Sequence, residues 1–313
     1  MKMKTQISRG TKFKQLFEEA AKFPPIKMAV ICPDSKESLD GMIQATNEKS
    51  ITPILLGPLA SIKKMAQSVG YDISHYQCLD MSPIEAIAHA MTMARNGEIE
   101  AIIKGSIHTD ELMSALVKTE NNLKTGRRMS HCMVLDIPSH DKLLILTDVA
   151  LNVVPTLKDK KDIVQNAIDL AQALGIAKPK VALLSAVETI SEHLPNTIEC
   201  AALCKMADRG QITGGILDGP LAFDLAISMQ AKITKKLNSE VAGQPDILVV
   251  PNLEVGNILV KALDHFANSL SLGIILGAKI PVIVTSRSAD AASRAGSCML
   301  TKFYVHHVKS LDY

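Results

Sequence analysis

The sequence predicts an α/β protein of two domains, each built on a parallel sheet. Three observations carry that reading. Short apolar, β-branched runs such as IKMAVI and DILVV read as buried strands. They alternate with stretches of helical spacing, the βαβα rhythm of a parallel sheet. At 313 residues the chain is long enough for about two domains, and a break near Pro155 divides it.

Residues 14–21 have the spacing of a first helix, and 26–31 form the first strand, ended by Pro33 and Asp34. A helix over 36–47, a strand at 52–57, a helix over 59–68 and a short strand at 76–79 follow. Pro83 opens the next helix, through Arg95, at a position where its missing N–H is no loss. The buried strand 101–103 then feeds Lys104-Gly105-Ser106-Ile107-His108-Thr109-Asp110. A cation at Lys104, a close backbone approach at Gly105 and a hydroxyl at Ser106 suit a phosphate. Thr109 or Asp110 would cap a helix over 111–118, whose N-terminus favours anions. The loop is neither a Walker loop nor G-x-G-x-x-G, and a capped helix behind a glycine turn explains the same residues without a ligand.

Arg127 and Arg128 precede a run at 133–137 that pairs as a hairpin with 143–148 across Pro138 to Asp141. Two arginines can clamp a phosphate bidentately, although a solvated pair is the plainer reading. Beyond Pro155 come a helix over 157–174 closed by Gly175, a strand at 181–185, a helix over 197–209 and a strand and turn at 216–220. The strand 246–250 is stopped by Pro251, and a polar loop with Asn252, Glu254, Gly256 and Asn257 leads to helical spacing from Ile258. In open α/β sheets ligands bind past the carboxyl ends of strands, so this loop is a candidate site. Strands at 271–276 and 282–284, then a polar turn and small-residue helix over 286–298, complete the pattern.

Composition narrows the function. With 47% hydrophobic and 21% charged residues this is an ordinary globular chain. Its 34 basic and 32 acidic residues form no basic stripe, and 3% aromatics without Trp leave no base-stacking platform, so no nucleic-acid partner is expected. No apolar run approaches membrane length, and the N-terminal basic residues have no apolar stretch behind them, so neither membrane nor signal peptide is expected. Cys32, Cys78, Cys132, Cys200, Cys204 and Cys298 are scattered in apolar surroundings, which reads as reduced thiols in the cytoplasm. Cys200 and Cys204 stand one helical turn apart, but no further ligand pair completes a zinc site, and no metal is expected.

The segments KGSIHTDEL, RRMSH, TDVALN, DIVQNAIDLAQALGI, LSAVETI, ADRGQITGGILDGPLAFD, ILVVPNLEVGN and TSRSAD resemble, in order from about residue 25 onward, the phosphate acetyl/butyryltransferase family. They are especially similar to the phosphotransacetylase-like part of bifunctional proteins with an enoyl-CoA hydratase domain in front, for which this chain has no room. The resemblance implies reversible acyl transfer between coenzyme A and inorganic phosphate, acetyl preferred over butyryl, with no metal or redox cofactor. It implies a homodimer of two-domain, isocitrate/isopropylmalate dehydrogenase-like chains, each with a cleft between its α/β/α domains. The first domain would comprise 1–154 and 280–313, the second 155–279.

Carried onto these residues, the resemblance makes Ser286-Arg287 the pair that serves thiol and phosphate. It places His108, Asp148 and Asp218 beside Lys104, Gly105, Ser106, Thr109 and the 252–257 loop in substrate binding. Two departures stand out. The acidic residue expected seven positions after the serine is Ser293, leaving Asp290 as the nearest carboxylate. An arginine expected seven positions after His108 is Ala115, leaving Arg127 or Arg128 for phosphate. Two other readings stay open: a metal-dependent dehydrogenase using Asp148, Asp218 and Asp224, and a non-catalytic acyl-CoA-binding protein, motivated by Ser293.

Overall fold

The computed structural model describes residues 10–286 and 289–311. They divide into two compact units: an N-terminal unit of 15–127 with 272–311, and a central unit of 10–14 with 128–271. After α1 (Phe13–Ala20), the N-terminal unit alternates β1 (Ile26–Ile31), α2 (Lys36–Asn47), β2 (Ile51–Gly57), α3 (Leu59–Ser68) and β3 (Gln77–Asp80). It continues with α4 (Pro83–Arg95), β4 (Ala101–Lys104) and α5 (Thr109–Val117). The strands lie parallel in the order β3-β2-β1-β4, with Val30 between Leu55 and Ile103. Short-range signals set the helices. Ser35 caps α2 through a reciprocal box with Ser38, and Ser82 caps α4 with Glu85 just before Pro83. Leu39, Met42 and Ala45 of α2 then fall on one buried face, packed with Met28, Val30 and Leu55.

The central unit opens with the expected hairpin of β5 (Ser130–Asp136) and β6 (Leu144–Thr147), Val134 opposite Ile145. Then follow α6 (Leu157–Ala173), β7 (Lys180–Leu184), α7 (Pro195–Asp208), β8 (Ile216–Leu221), α8 (Phe223–Ile227), α9 (Met229–Thr234), β9 (Ile247–Val249) and α10 (Leu253–Phe266). β6, β9, β7 and β8 run parallel in that order. Leu146, Ala182 and Leu248 bury against Leu225 and Val260.

Through β10 (Leu270–Leu276) the chain returns to the N-terminal unit. There β11 (Val282–Ile283) pairs antiparallel with β10 and parallel with β4, and α11 (Ala291–Leu311) packs on α2. The unit breaks fall at 127/128 and 271/272, and the β5-β6 hairpin belongs to the central unit through its parallel partner β9. Two local expectations are revised. The final helix extends to Leu311, well past Cys298. The stretch 253–257, expected as loop, is the first turn of α10, with Asn252 as its cap. Among the described residues no helix is long and apolar enough to cross a membrane.

Candidate active site

The carboxyl ends of β1 and β4 lie side by side and carry two loops that are bonded together. Gly105 N–H donates to the Ile31 carbonyl at 2.8 Å and Ser106 N–H to the Cys32 carbonyl at 2.9 Å. A Cβ at Gly105 would sit 2.2 Å from the Cys32 oxygen, so only glycine permits this approach. The Cys32 thiol beside it is pushed up to about 11, mainly by burial and then by the charges of Asp34 and Glu111. It therefore stays protonated and is a poor nucleophile.

These loops border a cavity of about 390 Å³ lined by Ser35, Glu37, Lys104, Gly105 and Ser106, with Thr285 and Arg294 closing it. Lys104 is 5% exposed, and its ammonium donates to the Gly105 and Ile107 carbonyls at 3.1 and 2.9 Å. Arg294, also 5% exposed, donates from Nη2 to the Ser286 carbonyl at 2.9 Å and from Nε to the Ala289 carbonyl at 3.2 Å. Its stem lies on α2 where a side chain at Gly41 would collide with it, 2.5 Å from the Arg294 Cβ. The Thr285 hydroxyl is buried with no protein partner, and so is Oδ1 of Asp34. Buried polar atoms need partners, so the unpaired Thr285 hydroxyl marks a place for a ligand atom. Two cations, hydroxyls and the N-terminus of α2 together suit a small oxyanion.

In the central unit Asp148 organises a second cluster. Its carboxylate, 3% exposed, accepts from the backbone N–H groups of His131, Ala150, Leu151 and Asn152 and from the Asn152 side chain. Asn152 Oδ1 in turn accepts from Arg128 Nε at 2.7 Å, which aims a guanidinium that is more than half exposed. Asn252 Oδ1 accepts from Val255 N–H and so caps α10. Asn257 donates to the Val149 carbonyl at 3.3 Å, and Gly256 faces the Asp148 carbonyl with no room for a Cβ. Asp218 turns back on the N–H of Gly219, and Glu254 stands exposed in the first turn of α10.

His131, 5% exposed, has neither ring nitrogen hydrogen-bonded. Burial lowers its pKa to about 4, against a smaller upward pull from Asp148. The imidazole is thus neutral when folded, whereas the unfolded chain takes up a proton below about pH 6.5. Stability should therefore be lost as pH falls through that window, by about 2 kcal/mol at pH 5 and about 3 once the folded histidine titrates. Urea unfolding at pH 7.5 and 5.0 should show this loss in the parent, and His131→Asn should flatten it.

The expected site residues thus fall into two groups. Lys104, Gly105 and Ser106 line the cavity. Ser286 borders it through Arg294, and Asp290 caps α11 by accepting from Ser293 N–H at 2.8 Å. His108, not Thr109 or Asp110, takes the capping position of α5, without a side-chain bond. Arg127, Thr109 and His108 belong to the N-terminal unit; Arg128, Asp148, Asp218, Asn252, Glu254, Gly256 and Asn257 belong to the central one. Arg287 lies outside the described residues. Ser35, Glu37, Thr285 and Arg294 were not singled out in the sequence, because a helix cap, a first-turn acid and two residues near the last helix carry no local signal of a shared pocket.

Residues 80–301 match the family described as phosphate acetyl/butaryl transferase. The chain belongs to that family. Among its relatives is a phosphate acetyltransferase of Rickettsia felis, 47% identical over 94% of this chain and 88% of the relative. A phosphate butyryltransferase of Clostridium beijerinckii is 35% identical over 92% of this chain and 96% of its own. The crystal structure of a branched-chain phosphotransacylase from Enterococcus faecalis superposes with a TM-score of 0.79 at 30% identity, covering 90% of this chain and 99% of that one. Within the family, the cavity at the ends of β1 and β4 gives this chain a polar, cationic pocket. Of the three aspartates in the dehydrogenase reading, Asp148 has its carboxylate enclosed by amide donors. Among the described residues no three His, Cys, Asp or Glu gather as metal ligands.

Proposed function

We propose that this acyltransferase moves an acetyl group reversibly between coenzyme A and inorganic phosphate, giving acetyl phosphate. The observation that carries the acetyl preference is the 47% identity to a protein named phosphate acetyltransferase, against 35% to one named phosphate butyryltransferase. Phosphate would occupy the cavity beside Lys104, Ser106, Thr285 and Arg294. A phosphate oxygen attacks the thioester carbonyl, the tetrahedral intermediate collapses, the C–S bond breaks, and the sulfur leaves as thiolate to take a proton. The protein has to hold the phosphate, place the carbonyl within reach and stabilise negative charge on the carbonyl oxygen. Ser286, whose carbonyl Arg294 holds, would supply a hydroxyl to the sulfur or the oxyanion, and Arg287 a second fork for phosphate. Arg128, aimed by Asn152, would bind an anionic part of coenzyme A.

The test is a panel of acyl-CoA substrates with release of free thiol followed with and without phosphate, in EDTA. Acetyl-CoA should give the highest kcat/KM, and phosphate should be required. A butyryl-CoA value above the acetyl one would remove the acetyl preference, and release indifferent to phosphate, or abolished by EDTA, would remove the transferase reading. A homodimer and a cytoplasmic place belong to the same proposal. Val255, Ile258 and Phe266 are 40%, 68% and 93% exposed at spacings that share one face of α10, a surface suited to a second copy. Sedimentation equilibrium should give twice the chain mass. The six free cysteines fit a reducing compartment, which cell fractionation would check.

A further inference from the structure

We propose that Glu37 is the residue by which the cavity distinguishes phosphate from sulfate. The inference rests on the reading of that cavity as the phosphate site. Its lining cations, Lys104 and Arg294, and its hydroxyl donors, Ser106 and Thr285, attract any tetrahedral dianion alike. Phosphate and sulfate match in size and shape, so these groups give little choice between them. What separates the two anions is a proton. Phosphate keeps at least one P–OH through the neutral range, and sulfate has none.

Glu37 is the carboxylate of the lining, and an ionised carboxylate can only accept. Facing hydrogen phosphate it receives a charge-assisted hydrogen bond from the P–OH group. Facing sulfate it meets an oxygen that carries no hydrogen, and like charges repel. A site built to bond a hydroxyl rejects an analogue lacking it for this reason. Local structure places the side chain for that task. Glu37 stands in the first turn of α2, where the helix N-terminus favours negative charge, and the Ser35–Ser38 box fixes that turn. Arg294 lies within its electrostatic reach, since the Glu37 charge opposes the lowering that burial imposes on the guanidinium. The residue is exposed, so its exchange leaves the core untouched.

The experiment is calorimetric titration of the whole chain with sodium phosphate and with sodium sulfate at pH 7.5, for the parent, Glu37→Gln and Glu37→Asp. The parent should bind phosphate about ten- to a hundredfold more tightly than sulfate, the range for one hydrogen bond to a charged group. Glutamine offers an N–H to either anion, so Glu37→Gln should bring the two affinities to within about threefold, chiefly by a gain for sulfate. Aspartate should keep the parent's order, and arsenate, which is protonated, should follow phosphate. An unchanged ratio in Glu37→Gln, equal binding of the two anions by the parent, or binding of neither would overturn the inference. The parent's phosphate-dependent thiol release tests the acyltransferase reading separately: its absence with discrimination intact would remove that reading and leave Glu37 in its role.

Discussion

Asp148→Ala should lower the unfolding free energy by about 3–5 kcal/mol, the range for removing one partner from a buried charged network. The carboxylate takes N–H groups from His131, Ala150, Leu151 and Asn152 and the Asn152 amide, and alanine leaves the buried donors of His131 and Asn152 without this acceptor. Thermal unfolding should show a Tm lowered by on the order of 10 °C. Asp148→Asn should cost less, because its carbonyl oxygen still accepts while its NH2 opposes the remaining donors. In Asp148→Ala the Asn152 amide keeps only its bond to the Met129 carbonyl, so the Arg128 guanidinium it holds should be aimed less firmly. A melting curve within a few degrees of the parent's would show that the turn does not depend on this carboxylate.

Arg287→Ala should lower kcat/KM for phosphate by about a hundredfold or more in a chain that stays folded. An oxyanion entering a partly desolvated pocket needs paired cations, and each charge-assisted hydrogen bond contributes about 1.5–3 kcal/mol. Lysine should not restore the rate, because an ammonium cannot make both bonds of the guanidinium fork. Arg294 also lines the cavity, but its Nη2 and Nε already donate to the carbonyls of Ser286 and Ala289, so it has fewer N–H groups left for the anion and cannot replace the fork of Arg287. Steady-state kinetics in phosphate, with the melting curve as a control on folding, decides the point. Retention of the parent's KM and turnover by Arg287→Ala would place the phosphate away from the Ser286-Arg287 pair.

What could be read in the sequence was set by neighbours along the chain. The strand Ile26–Ile31, the helix Pro83–Arg95 and the β5-β6 hairpin follow from apolar runs, a proline at the first helical turn and a turn of suitable length. Those signals act within a few residues. The ordered family segments fixed the acyltransferase reading in the same way, and Lys104-Gly105-Ser106 was legible as a loop after a strand. The start of α10 was not: Gly256 weakens helical propensity, and its reason for being there is the Asp148 carbonyl against which it packs.

The sequence by itself therefore determined the α/β class, most elements and the family. Tertiary structure decided the unit boundaries and the composition of the pocket. The hairpin joins the central unit because β6 pairs with β9, a hundred residues on in the register Ile145 to Ile247. The cavity draws Glu37 from α2, Ser106 from the loop after β4, Thr285 from the loop after β11 and Arg294 from α11. No local pattern links these four, since a parallel sheet brings strand ends together only after long crossovers. Gly41 shows the same cause at one position: it reads as a weak spot in a helix until α11 lays the stem of Arg294 across it.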